Sequence, residues 1–264
     1  MREVVFLPLP LEGAGEANLP IAVSPFTKKT TIMKIHIYHI ALLLTIATAS
    51  CKKDNYDPPS SKLNGRVVYK DEAIGLEYDQ VKFELYQYGF GKTGPIAAVF
   101  APDGTYSMLL FNGEYKFIIP NGQGPFKWKQ TAAGAPDTTL ITLQGNQEFD
   151  IEVTPFYMLR NPQLSRSGGN ISGTFKIEKI ITDASARDIE NVSLYINKTA
   201  IVSGANNVAV KTVNGSDITD PNNVNLSVAV PALTPAQNYV FARIGLKIAG
   251  VEDRIFSPVV KIDL

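Results

Sequence analysis

The sequence predicts an all-β protein: two β-sandwich domains in tandem, behind a signal peptide and a short tether. Three observations predict it. Short runs rich in Val, Ile, Tyr and Phe alternate with polar residues at period two, the spacing of half-buried strands. Glycine and proline, 20 and 17 in 264 residues, interrupt those runs too often for helices. An apolar stretch near the N-terminus ends at the one cysteine of the chain. Formal net charge is zero, so no basic excess exists to hold nucleic acid by counterion release.

Residues 1–50 come first. Met33-Lys34-Ile35-His36 gives a short cationic start, Ile40 to Ala47 is apolar apart from Thr45, and Thr48-Ala49-Ser50 places small residues before Cys51. That is the order of regions in a secretory signal. The run is shorter than the ~20 residues that span a bilayer as a helix. Upstream, residues 1–32 carry prolines and acids where a signal should be basic. Translation starting at Met33 and an unusually long leader are the two readings. A cysteine directly after small residues resembles the lipobox of bacterial lipoproteins, with Thr48 where leucine is usual. The resemblance implies a diacylglyceryl group on the Cys51 sulfur, cleavage before it, and further acylation. One acyl chain anchors only marginally, whereas several anchor stably.

Cleavage there removes both histidines, His36 and His39. The mature chain then holds no Ser-His-Asp or Cys-His nucleophile pair and no zinc site built on His or Cys. Catalysis would rest on paired carboxylates, as in glycosidases, or on Lys and Tyr, and no acid pair stands out. The expectation is a non-enzymatic protein without cofactor or metal.

Residues 51–61 are polar and contain Pro58-Pro59, an extended tether. Lys52-Lys53-Asp54 resembles the surface-export signal of Bacteroidetes lipoproteins, and a plain solvated linker reads equally well.

The first domain is expected over residues 62–154. "KLNGRVVYK" opens it. "QVKFELYQY" puts Val81, Phe83 and Leu85 on one face, and Lys82, Glu84 and Tyr86 on the other. "PIAAVF" follows, and Asp103-Gly104 turns the chain into "TYSMLLF". Asn112-Gly113 then predicts a hairpin into "EYKFIIP". "TTLITLQ" and "QEFDIEVTP" close the block, about seven strands at sandwich spacing. Asn64-Gly65-Arg66-Val67, Asp103-Gly104-Thr105-Tyr106 and Asn112-Gly113-Glu114-Tyr115 resemble the carboxypeptidase-regulatory-like, transthyretin-like domain. This resemblance implies a fold more than a function.

The second domain is expected over residues 155–264. "NISGTFKIEKI", "IENVSLYIN" and "VNLSVAV" read as strands, and "RSGGN" as a flexible connector. Leu233, Pro235 and Tyr239 resemble the tyrosine corner of fibronectin type III and other immunoglobulin-like domains, where the hydroxyl closes onto backbone just upstream. "RIFSPVVKIDL" reads as a terminal strand with an edge or bulge at Pro258.

Together with the loop "NGQGPFKW" and the junction "VTPFYMLRN", these features resemble a Bacteroidetes family of two-domain outer-membrane lipoproteins of unknown function. That family's usual context implies a glycan ligand, a starch-utilisation-type uptake system and an outer-membrane transporter as partner. A structural adaptor that docks another outer-membrane protein is the alternative.

Phe126, Lys127 and Trp128 are the expected ligand contacts, on a glycine-rich loop that reads as mobile. Trp128 could stack on a sugar ring or pack into the core, as large aromatics commonly do. Asp217 and Asp220, among three asparagines, offer calcium-type oxygens or a plain turn. Tyr86 and Tyr88 read as a sheet-stabilising pair.

Overall fold

The structure is a computed structural model that describes residues 57–89 and 94–264. Cys51, the signal segment and most of the tether lie outside the described residues.

The chain is all-β, as expected. β1 (Ser61–Tyr69) is the centre of the first sheet. β2 (Glu72–Ala73) folds back on it, and β3 (Gly75–Leu76) leaves for another sheet. β4 (Lys82–Gln87), β5 (Ile96–Val99), β6 (Thr105–Leu110), β7 (Gly113–Ile118), β8 (Phe126–Lys127) and β9 (Thr139–Leu143) follow. β10 (Gln147–Glu148), β11 (Ile151–Glu152) and β12 (Thr154–Pro155) end the half. β1 pairs antiparallel with β2 and β6 and parallel with β10 and β11. The facing sheet runs β5-β4-β7-β9, antiparallel throughout. Leu63, Val67, Tyr106 and Leu110 from one sheet meet Phe83, Leu85, Tyr115, Phe117, Ile141 and Leu143 from the other, all buried in one cluster. Val81, Phe83 and Leu85 are fully buried while Lys82 is exposed, so period two sets the inner face of β4 as expected.

The expected Asn112-Gly113 hairpin does not form. β6 pairs with β1, whereas β7 pairs with β4 and β9, so Asn112-Gly113 carries the chain from one sheet to the other. The Asn112 carboxamide oxygen fixes this crossing by accepting Ser61 Oγ–H at 2.6 Å and the Gly145 N–H at 2.8 Å. Tyr115 braces it, donating its hydroxyl to the Phe111 carbonyl four residues upstream at 2.8 Å.

The second half begins with β13 (Tyr157–Ser167), an eleven-residue strand that the sequence reading missed. It forms a hairpin with β14 (Asn170–Lys179). Ser167 pairs with Asn170, so "RSGGN" is a two-residue turn with Gly168 at φ +60°, and no flexible connector. β15 (Ile189–Asn197), β16 (Ala209–Asn214), β17 (Val224–Ala229) and β18 (Tyr239–Ile248) follow. The expected terminal strand is two, β19 (Arg254–Phe256) and β20 (Val260–Asp263), with Pro258 in the break and both paired to β18. β13-β14-β17 form one sheet, and β16-β15-β18-β19 form another that packs over it. The expected tyrosine corner at Tyr239 is absent among the described residues. Its ring lies 4.2 Å from the Lys261 ammonium instead.

The two halves interlock. β3 pairs with β19, Leu76 opposite Ile255 and Gly75 opposite Phe256, so a strand of the first half completes a sheet of the second. A Cβ on Gly75 would sit 2.3 Å from the Phe256 carbonyl oxygen, so only glycine admits this pairing. Residues Pro58–Leu264 accordingly form one compact unit with a continuous core.

Candidate functional site

The expected contacts lie on β8, which pairs with β12. Phe126 is 5% exposed and stacks over Gly124, so most of its ring belongs to the core, and its remaining surface lines a hollow beside Trp128. Trp128 is half-buried. Its indole N–H donates to the Asp137 carbonyl at 2.7 Å, and its ring centroid is 5.8 Å from that of Phe117. Lys127 is exposed and reaches Ser185 Oγ at 3.0 Å. The surrounding loop is tied down: Gln130 bridges to Pro136, and the Gly124 N–H donates to the buried Asp253 carboxylate at 2.6 Å. Hollows of about 490 and 470 Å³ flank Trp128, whose one polar atom is already bonded.

Asp217 accepts from Asn214 and Ser216, and Asp220 accepts the Asn222 N–H at 2.9 Å, the bonding of a turn. Tyr86 donates to Glu84 at 2.7 Å, and Lys116 sits 5.0 Å from the Tyr88 ring, consistent with sheet-stabilising residues.

A cavity of about 980 Å³ lies on the seam between the halves, walled largely by Phe256, Pro102, Pro162, Pro258 and Val259. Arg243, 1% exposed, reaches it from β18. Its guanidinium donates to three carbonyls: Ser257 at 2.7 Å, Leu76 at 2.9 Å and Pro102 at 2.6 Å. It also lies 4.4 Å from the Phe256 ring. Burial pulls its pKa down to about 10, against the opposing pull of Glu77 and Asp103. With its nitrogens engaged by backbone from both halves, Arg243 is a structural tie.

Another hollow, about 750 Å³, is built differently. The β3–β19 pairing fixes Leu76. Glu77, next along the chain, accepts the Gly204 N–H at 3.1 Å and Arg254 Nη1 at 3.4 Å. The chain then turns through Tyr78 and Asp79 before Val81 returns to the core. Asp79 sits at φ +57°, a conformation uncommon outside glycine that Asp tolerates better than most. Held on both sides, Tyr78 stands 45% exposed. Lys62, Asn64 and Arg66 of β1 line the hollow at period two, with Ser107 and Thr105 of β6 in register opposite Asn64 and Arg66. Glu148 and Asp150 join Asp79 as the carboxylates of the lining. Asp150 accepts the Arg66 backbone N–H at 2.9 Å and its Nε and Nη2 at 3.2 and 3.1 Å. The Asn64 carboxamide oxygen is enclosed and has no hydrogen-bond partner among the described residues. An unpaired buried acceptor costs about 1–3 kcal/mol. Tyr106, also on this hollow, donates to the Phe149 carbonyl at 2.5 Å, and burial pushes its pKa far up, which suits no acid–base role.

This hollow combines an exposed aromatic face with a floor of side chains that both donate and accept hydrogen bonds. Sequence reading missed it. The available signal was Tyr78, an aromatic in the acidic turn "GLEYDQ" outside any alternating run.

Family models match both halves: the N-terminal domain of a protein of unknown function (DUF3823) over residues 61–154, and a domain of unknown function (DUF3823_C) over residues 157–261. A DUF3823 family protein from Parabacteroides merdae is 34% identical, with a TM-score of 0.68 over 78% of this chain and 100% of its own. The chain belongs to the DUF3823 family. A second DUF3823 protein, from Bacteroides ovatus, is 28% identical with a TM-score of 0.67 over the same shares. A Bacteroides uniformis structure described as a "putative carbohydrate binding protein" shares the fold at 17% identity and a TM-score of 0.57, again over 78% and 100% of the two chains. No curated protein matches. In this DUF3823 protein the Tyr78 hollow is formed by the N-terminal family domain, and the C-terminal one braces its turn through Gly204 and Arg254.

Proposed function

We propose that this DUF3823 protein is a non-enzymatic glycan-binding lipoprotein of the outer membrane, held by lipid on Cys51 and accessory to a starch-utilisation-type uptake system with an outer-membrane transporter as partner. Its halves are read as a transthyretin-like and an immunoglobulin-like sandwich. The observation that carries the binding role is Tyr78, exposed on a braced turn beside nine polar side chains. The axial C–H face of a pyranose is apolar and slightly positive, and stacks on the negative face of an aromatic ring. The ring hydroxyls then need planar carboxylate and guanidinium groups at the edge, which Asp150, Glu148 and Arg66 provide. A volume of about 750 Å³ is in the range of small-ligand sites. The carbohydrate-binding description of the Bacteroides uniformis protein of like fold is in keeping with this reading.

Isothermal titration of the purified protein against a glycan panel tests it. At least one glycan should bind, and Tyr78→Ala should weaken binding tenfold or more, about 1.4 kcal/mol. Silence across the panel overturns the glycan reading and leaves the structural adaptor.

A further inference from the structure

We infer that the Tyr78 hollow selects neutral oligosaccharides and rejects uronate-containing or sulfated ones, an inference that rests on the glycan-binding reading. The lining brings three carboxylates, Asp79, Glu148 and Asp150, against two cations, Lys62 and Arg66. Arg66 is paired in charge with Asp150, which takes its Nε and Nη2 at 3.2 and 3.1 Å. That leaves Lys62 alone facing Asp79 and Glu148, an excess of negative charge at the mouth. An acidic sugar entering there meets like charge and loses its own hydration, both unfavourable. A neutral sugar meets the reverse: each carboxylate is an acceptor-only group, and hydroxyls are the donors it lacks.

Two variants test the charge argument without disturbing the aromatic. Asp79→Asn keeps a residue that tolerates the left-handed turn, and Glu148→Gln keeps the shape of an exposed side chain. Affinities of the purified wild type and the Asp79→Asn/Glu148→Gln double variant would be measured for neutral glucan, mannan and galactan oligosaccharides and for oligogalacturonate and a sulfated galactan. Melting temperatures would confirm folding. The wild type should bind a neutral oligosaccharide at least tenfold more tightly than either acidic one. The double variant should narrow that gap by fivefold or more, and Tyr78→Ala should abolish both classes. Acidic glycans that bind the wild type as tightly as neutral ones, in a Tyr78-dependent manner, overturn the charge selection while sparing the glycan reading. Glycan binding indifferent to Tyr78→Ala overturns this site and so the inference with it.

Discussion

Arg243 shows how one side chain joins the two halves. Its donors hold the Leu76 and Pro102 carbonyls of the first half and the Ser257 carbonyl of the second. Arg243→Ala takes the side-chain donor from the Leu76 and Ser257 carbonyls, while Pro102 keeps the Leu76 N–H, and opens a void beside Phe256. We expect a loss of about 2–6 kcal/mol in chemical denaturation, from about 1–3 kcal/mol for each of the two buried acceptors left without that donor. Arg243→Lys should recover little, since a single ammonium cannot span three carbonyls that a planar fork reaches. Asp253 is the opposite kind of residue. Burial raises its carboxyl pKa, and the Gly124 N–H opposes that rise without cancelling it. Between its unfolded and folded pKa the folded state binds more protons, so its stabilising contribution is present in acid and is lost as pH rises. Asp253→Asn keeps an acceptor for Gly124 and removes the buried charge. The variant should melt higher than wild type at pH 7, and the difference should shrink as pH falls towards the ordinary carboxylate range. Thermal melts across that range check this, and an advantage growing in acid would contradict it.

Among the elements, β3 has the largest effect for its size. Two residues, Gly75 and Leu76, pair with β19 and set the start of the turn that presents Tyr78. Gly75→Ala would press a methyl against the Phe256 carbonyl oxygen, 2.3 Å from where the Cβ must lie. The expected cost is about 1–3 kcal/mol, as for other overpacked sites, and glycan affinity should fall with it even though Gly75 does not line the hollow. Strand existence was legible in the sequence wherever period two was clean, as at Val81-Phe83-Leu85. Strand partners were not. Asn112-Gly113 has hairpin chemistry, yet its flanking strands bury Tyr106, Leu110, Tyr115 and Phe117 into one core from opposite sheets. Local turn propensity cannot reveal which sheet follows. β13 has no clean period-two signal because only its start is buried, and Arg160 to Ser167 is mostly polar and at least partly exposed. Phe126 and Trp128 attracted attention as loop aromatics, but their burial is a tertiary fact. Tyr78 is exposed for the same kind of reason: Glu77 is anchored by Gly204 and Arg254, more than a hundred residues away in sequence.

At the scale of the whole molecule, a shared sheet, a continuous core and a buried arginine make one body of residues Pro58–Leu264. The hollow beside Tyr78 is held by that body rather than by a loose loop, which keeps the cost of ordering a binding surface small. The seam cavity, the Trp128 surface and a small hollow at the Asp217–Asp220 turn are other concave regions among the described residues. The decisive measurement separates them. Amide ¹H–¹⁵N spectra of the protein would be titrated with whichever oligosaccharide binds most tightly. Binding at Tyr78 predicts shift changes concentrated in residues 62–66, 78–79, 99–107 and 148–150, with Lys127 to Lys129 unmoved. Changes centred on Trp128 or on the seam around Arg243, with Tyr78 and its neighbours still, would contradict it.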